Sequence, residues 1–153
     1  MRILGIDPGY GTLGWAVIDS NLKIFGYGTV HTSPGKRIDE RLFQIRGQLL
    51  EIIETHKPDC AAIERLFFSR NTTTALDVAK TMGVVLLTFR EKDIDFSEYA
   101  PVQVKRAVTG YGKADKEQMQ VMITKIFGIK EAPKSDDAAD AIAIAACCAL
   151  SKK

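Results

Sequence analysis

Apolar runs that end at a single acidic residue stand out in the hydrophobic pattern of this chain. Residues 2–6 form the first run, which is typical of a strand buried on both faces of a sheet, and Asp7 follows it directly. Pro8 and Gly9 then predict a tight turn, because proline presets φ and glycine accepts a positive φ. The apolar residues 13–18 resume as a strand, so the chain is predicted to open with a β-hairpin.

A third strand and a long helix follow the hairpin. Residues 23–30 are rich in aromatic and β-branched side chains, which favours a strand that completes a three-stranded antiparallel meander. Residues 36–56 instead place apolar side chains at steps of four and three, which predicts a helix with one apolar face. That face could form a coiled-coil seam, but a helix next to strands more often packs on the sheet, and we assign it to the core.

The second apolar run with an acidic end consists of residues 60–63, and Glu64 follows it. Because a helix provides the crossover before it, this strand is expected to lie parallel within the same sheet. If it pairs with the first strand, Asp7 and Glu64 project from neighbouring carboxyl ends. Sheets of α/β proteins commonly place their chemistry at such ends.

The remaining pattern completes an α/β protein. It predicts a helix over 72–89, a short strand over 93–99, a short helix over 101–108, a helix between the cap Asp115 and Gly128, and a last helix over 136–150. The predicted fold class is therefore α/β, with a five-stranded mixed sheet of three antiparallel strands followed by parallel strands, flanked by helices.

Length and composition exclude several classes of protein. A chain of 153 residues with 46% hydrophobic and 26% charged residues suits one ordinary globular domain, which we expect to span residues 1–153. Apolar runs fall short of the roughly 20 residues of a membrane span, and the N-terminus lacks the features of a secretory signal, so a cytoplasmic protein without a membrane partner is expected. The three cysteines have no zinc spacing and are interpreted as buried, reduced thiols.

Two further carboxylates belong to the last predicted helix, which begins SDDAADAIAIA. Asp137 and Asp140 are three residues apart and share a helix face, whereas the adjacent Asp136 is expected to point elsewhere. Capping and the helix macrodipole account for acids in a first turn, as for Asp136 and Asp137. They account poorly for Asp140, which precedes an almost wholly apolar helix. We therefore expect Asp7, Glu64, Asp137 and Asp140 to converge; acids scattered over the surface are the alternative.

Four clustered carboxylates would require cations. Two like charges 4 Å apart repel by about 4 kcal/mol at an effective dielectric of 20. Hard oxygen ligands favour Mg²⁺ or Mn²⁺, and His31 and His56 are distant in sequence from the acids, which argues against zinc. Two such ions about 3.5–4 Å apart could activate a water and stabilise the leaving oxygen of a phosphodiester.

Four segments of the chain resemble the RuvC family of Holliday junction resolvases, in order and over nearly the whole length: GIDPGYGTLGWAVI, AIERLFFSRN, YAPVQVKRAVTGYGKADK and SDDAADAIAIA. The resemblance implies a ribonuclease H-like fold and a homodimer that cuts four-way DNA junctions symmetrically with two Mg²⁺ per site, Mn²⁺ being a substitute. It also implies that the protein acts in recombination and repair together with its partner, the branch-migration helicase complex of RuvA and RuvB. Its acidic tetrad falls on Asp7, Glu64, Asp137 and Asp140.

The resemblance also implies contacts with DNA. Phe67 matches an aromatic residue that stacks on a base at the junction centre, and Lys105 and Lys116 match basic residues that contact DNA. Arg70 and Lys113 lie in segments that follow or approach the acids, and basic flanks are what phosphate binding requires. Burial of Phe67 in the core and an ordinary solvated face around Lys105 are the alternatives.

Other functions remain open at this point. An actin-like nucleotide-binding protein also uses a DxGxxxxG turn, but it needs two such domains and gives the late aspartates no role. A junction-binding protein that does not cleave would not need four acids that repel DNA, and shorter ribonuclease H-like resolvases lack the DAAD-type helix. The residue 72–89 helix carries few charges, which the resemblance attributes to a dimer interface and which burial in the monomer would also explain.

Overall fold

The computed structural model describes residues 1–9, 11–66 and 72–151. For residues 72 and 73 it describes the backbone alone. Phe67 and Arg70 lie outside the described residues. In chain order the elements are β1 (Arg2–Pro8), β2 (Thr12–Asp19), β3 (Ile24–His31), α1 (Ile38–His56), β4 (Cys60–Glu64), α2 (Thr72–Glu91), β5 (Asp95–Tyr99), α3 (Pro101–Thr109), α4 (Lys116–Phe127) and α5 (Asp136–Ser151).

The strands form one mixed sheet in the order β3-β2-β1-β4-β5. The first three strands are antiparallel, and β4 and β5 add in parallel to β1, which confirms the predicted fold class. Ile6 is in register with Ile63 on the parallel neighbour. The next residue on each strand is an acid, so the sheet places Asp7 and Glu64 side by side at its carboxyl edge.

Two predicted boundaries are wrong. Pro8 is not a turn residue, because β1 continues through it and pairs it with Leu13; the positive φ lies instead at Gly11, which has a φ of +79°. The fifth strand begins at Asp95 rather than residue 93. Asp93 has a left-handed φ of +52°, and the amide of Ile94 donates to the carbonyl of Phe89, so both residues belong to the turn that ends α2.

Helices cover both faces of the sheet. On one face, α1 and α2 bury Ile45, Leu49, Val85 and Phe89 against side chains of β1, β2 and β4, so the apolar stripe of α1 is core, as predicted. On the other face, α5 lies at the centre and α3 and α4 pack beside it. Cys60, Cys147 and Cys148 are all buried, as expected, and none of them forms a disulfide within the described part of the chain. No helix among the described residues is long and apolar enough to span a membrane.

Two glycines let α5 approach the sheet at backbone distance. A Cβ built on Gly5 of β1 would lie 2.2 Å from the carbonyl oxygen of Ala141, and one built on Gly14 of β2 would lie 2.0 Å from that of Asp137. Since real Cβ atoms do not come this close, only glycine fits at either position. The two contacts lie one helical turn apart on α5, and they fix the depth at which its first turn sits on the sheet.

Candidate active site

Four acidic side chains meet where the carboxyl edge of the sheet faces the start of α5. Asp7 and Glu64 end adjacent parallel strands and are half-buried. Asp137 and Asp140 belong to the first turns of α5, whose beginning is marked by the amide of Ala139 donating to the carbonyl of Ser135. The structure thus brings together the four acids that the sequence analysis selected.

Close contact between backbones holds Asp137 near Asp7. Gly14, whose missing Cβ admits the Asp137 carbonyl, is the cross-strand partner of Asp7. A Cβ on Gly9, two residues after Asp7, would lie 4.0 Å from the Asp137 carboxylate. The first turn of α5 therefore lies next to the end of β1, which carries Asp7.

The pKa values of these carboxyls reflect both burial and mutual repulsion. The pKa of Asp7 is raised from 3.8 to about 8, first by burial and then by the charges of Asp140, Glu64 and Asp137. Burial is also the largest cause of the raised pKa of Glu64, followed by the charge of Asp140. Asp140 reaches solvent, yet partial desolvation and the charges of Asp136 and Asp137 raise its pKa. Each of these carboxyls is thus destabilised in its ionised form.

The donor set suits a hard divalent cation. Carboxylate oxygens are what Mg²⁺ and Mn²⁺ prefer, and a cation would relieve the repulsion that raises the pKa of Asp7. Within the described residues, however, no three His, Cys, Asp or Glu side chains are placed to hold one ion by themselves. This arrangement still fits Mg²⁺, because that ion usually keeps several waters and takes only one or two carboxylates together with substrate phosphate oxygens.

Two of the predicted DNA-binding lysines face the acids. Lys105 on α3 opposes the raised pKa of both Glu64 and Asp140, and Lys116 at the start of α4 does the same for Asp140. Both lysines line one cavity with Glu64 and Asp140. Lys113 is exposed in the turn that precedes α4, and the structure gives it no such contact with the acids. Positive charge therefore borders the acids on the side of α3 and α4.

The prediction that Asp136 points away from the site is wrong. Asp136 and Asp140 are four residues apart, so they share a face of α5, and both line the cavity beside the acids. Asp136 forms an ion pair with Lys116 that joins the starts of α4 and α5. The charge of Asp136 affects the pKa of Asp140 more than that of Asp137 does. The spacing of four residues was the signal that could have identified it.

A second feature that the sequence analysis missed supports the turn after Asp7. The buried Arg41 of α1 donates from Nε to the hydroxyl of Thr32 at 2.9 Å, and the amide of Thr32 donates to the carbonyl of Gly11 at 3.1 Å. A guanidinium nitrogen of Arg41 also lies 3.1 Å from the Cβ position of Gly11. Helix α1 thereby braces the β1–β2 turn from the opposite face of the sheet.

Comparison with known proteins places this geometry in a family. The chain matches the family model described as crossover junction endodeoxyribonuclease RuvC over residues 3–148. The curated protein of that name from Caldicellulosiruptor saccharolyticus is 43% identical over 155 residues, covering 99% of this chain and 93% of the relative. The one from Chloroflexus aurantiacus is 47% identical over 150 residues, covering 96% and 92%.

Solved structures agree with the sequence relatives. The structure described as T. thermophilus RuvC in complex with Holliday junction substrate has a TM-score of 0.94 at 36% identity, covering 99% of this chain and 94% of that chain. The yeast mitochondrial Holliday junction resolvase Ydc2 has a TM-score of 0.68 at 16% identity, over 97% and 78%, a likeness of fold alone. The resemblance inferred from the four sequence segments is thereby confirmed.

Proposed function

Because the chain belongs to the RuvC family of crossover junction endodeoxyribonucleases, we propose that it resolves four-way DNA junctions by hydrolysing one phosphodiester in each of two strands. The observation that carries the proposal is the group of four acids, in which burial and then the charges of three neighbouring carboxylates raise the pKa of Asp7 to about 8. A protein that only binds DNA gains nothing from charges that repel both one another and phosphate.

We propose Asp7, Glu64, Asp137 and Asp140 as the residues that hold two divalent cations, Mg²⁺ or Mn²⁺. Such ions, when bound, would supply an activated water and neutralise charge at the leaving oxygen. Asp7 is central to the group because all three other carboxylates act on its pKa, so it is the proposed shared ligand. The rigid strand ends fix Asp7 and Glu64, and α5 fixes the other two acids relative to them.

Basic residues around the acids would hold the DNA backbone. Lys105 and Lys116 are proposed to contact phosphates next to the cut, because they lie on the cavity side of Glu64 and Asp140. Lys113 and Arg70 are proposed to bind the strand further away, and Phe67 to stack on an unpaired base. These contacts position the DNA and carry little sequence information.

A homodimer would present two such sites to a two-fold symmetric junction. Helix α2 is the proposed interface, because its outer surface leaves Leu76 and Leu87 59% and 57% exposed while Met82, Val85 and Phe89 face the core. The branch-migration helicase complex of RuvA and RuvB is the proposed partner on the same DNA. Residues 1–153 are proposed to act as one nuclease domain.

The test is cleavage of a synthetic mobile four-way junction beside a linear duplex of the same sequence, with Mg²⁺ or Mn²⁺ titrated from zero. We expect paired incisions in two strands of the junction only, with no incision in a chelator. Asp7→Asn should abolish incision and keep junction binding. Asp93→Asn is the matched control, since Asp93 is exposed in a left-handed turn that asparagine tolerates. Junction binding by the wild type without incision at any metal concentration would refute the nuclease.

A further inference from the structure

A cavity of about 340 Å³ opens directly beside the acids, between α3, α4 and α5. Glu64 and Asp140 line it together with Lys105 and Lys116. Its floor is apolar and consists of side chains from all three helices: Pro101, Val104, Met119, Ile123, Ala139 and Ile144. Val104, Ile123 and Ile144 are at most 5% exposed, so the floor is part of the folded core rather than a loose surface.

The charges around the cavity restrict what can enter it. The acidic residues that line it outnumber its two lysines, so a free anion would be repelled from its interior; these acids are Glu64, Asp115, Asp136 and Asp140. Cations would be held at Glu64 and Asp140, as proposed above, whereas the apolar floor offers no oxygen ligand to a cation and remains free for another group. A neutral, flat group with polar edges fits both features, because its faces can contact the apolar floor while Gln120 and the charged lining residues can form hydrogen bonds with its edges.

We propose that this cavity binds one nucleobase of the strand being cut, the base next to the phosphate that is hydrolysed. The proposal rests on the nuclease function above, because the cavity shares Glu64 and Asp140 with the site proposed to act on that phosphate. A base that leaves the stack and inserts here would anchor its own phosphodiester over the acids. Bases removed from the stack are held in this way, between apolar side chains, by other enzymes that act on nucleic acids.

The experiment uses four-way junctions that carry an abasic residue on either side of the cut phosphate, one position at a time. Single-turnover cleavage by the wild-type protein should fall roughly tenfold or more at one of the two positions, because the contact of one base is lost. An abasic residue several nucleotides away should have no such effect.

Gln120→Trp tests the cavity itself, because Gln120 is a half-buried lining residue whose replacement by tryptophan would fill the space. This variant should cut the intact and the abasic junction at one common, reduced rate. Val121→Trp is the matched control, since the next residue of α4 is 45% exposed and does not line the cavity. It should keep the wild-type preference for the intact junction. Circular dichroism and thermal unfolding establish that both variants fold.

A second measurement separates the cavity from the nuclease function. With 2-aminopurine next to the cut position, binding in a chelator should raise its fluorescence as the base unstacks, in the wild type and Val121→Trp but not in Gln120→Trp. Cleavage that ignores both abasic positions overturns the base-binding cavity and leaves the nuclease intact. A fluorescence rise without any cleavage in metal supports the cavity and refutes the nuclease. A Gln120→Trp variant that keeps the preference for the intact junction also overturns the cavity.

Discussion

Gly14→Ala tests whether the depth of α5 on the sheet controls the candidate site. The added Cβ would lie 2.0 Å from the carbonyl oxygen of Asp137 and 2.4 Å from its carbonyl carbon. Both atoms belong to the helix backbone, so no side chain can rotate away to make room. Reaching an ordinary contact of 3.4 Å requires α5 or β2 to move by about 1.4 Å.

The displacement should affect stability and catalysis separately. Overpacking of a tightly packed core costs about 1–3 kcal/mol in the free energy of unfolding. Asp137 itself lies at the point of contact, so its carboxylate moves with the backbone, away from Asp7. A misplacement of about 1 Å at a reacting centre lowers the rate about 100-fold. Junction binding should change little, because the basic residues of α3 and α4 do not contact Gly14.

Urea unfolding measures the stability, and single-turnover cleavage at saturating protein, well below the unfolding temperature, measures the chemical step. Gly47→Ala is the matched control. Gly47 is an exposed interior residue of α1, and a Cβ there would meet no atom within 4 Å. Alanine should therefore raise the stability by about 0.5–1 kcal/mol and leave cleavage unchanged.

Two results would contradict this reasoning. A Gly14→Ala protein as stable as the wild type would mean that α5 does not depend on the glycine for its depth. A destabilised variant that still cuts at the wild-type rate while folded would mean that the position of Asp137 does not limit the reaction. Gly5→Ala, which meets the carbonyl of Ala141, would then decide whether any displacement of α5 matters.

Three other predictions concern charge and assembly. In the metal-free protein the pKa of Asp7 is raised from 3.8 to about 8, so the folded state loses stability as pH rises between these two values. Asp7→Asn should therefore be more stable than the wild type by about 1–3 kcal/mol at pH 8 and by little at pH 4. Urea unfolding in a chelator measures the difference. A wild-type stability that rises from pH 5 to 8 in the chelator would contradict this. Lys116→Ala should lower single-turnover cleavage about 10- to 100-fold and binding less, because it removes a positive charge facing Asp140, whereas Lys125→Ala in the last turn of the same helix should do neither. Leu87→Glu should shift the protein from dimer to monomer in light scattering, whereas Val121→Glu, at an exposed apolar residue of α4, should not. An unchanged dimer in Leu87→Glu would exclude the outer face of α2.

The strand ends could be predicted from the sequence because they depend on local pattern and a general rule. An apolar run followed by one acid marks each strand, and the crossover rule makes the second strand parallel. Asp7 and Glu64 are then neighbours if the two strands pair, a condition that the sequence left open and that the structure meets. The same reasoning worked for α1, whose apolar stripe needs only the helical period.

Features that depend on the packing of distant segments could not be predicted in the same way. The spacing of Asp136 from Asp140 indicated their shared helix face, but the ion-pair partner of Asp136, Lys116, lies on another helix and could not be identified from the pattern of α5. The role of Gly14 was equally hidden, since a glycine in a strand indicates a close approach without saying what approaches. Arg41 is similar: nothing in the pattern of α1 shows that its charge reaches the turn at Gly11.

These features share a physical reason. Carboxylates that raise one another's pKa would separate if their supports were free to move, so the fold must hold them together at a cost in stability. The apolar residues of α5 from Ala138 to Ala149 are buried, and their burial supplies the free energy that offsets this repulsion. Gly5 and Gly14 set how closely α5 packs on the sheet. This close packing places Asp137 and Asp140 next to the ends of β1 and β4. Packing of one small-residue helix thus both stabilises the sheet and keeps the repelling acids in place until cations and DNA neutralise them.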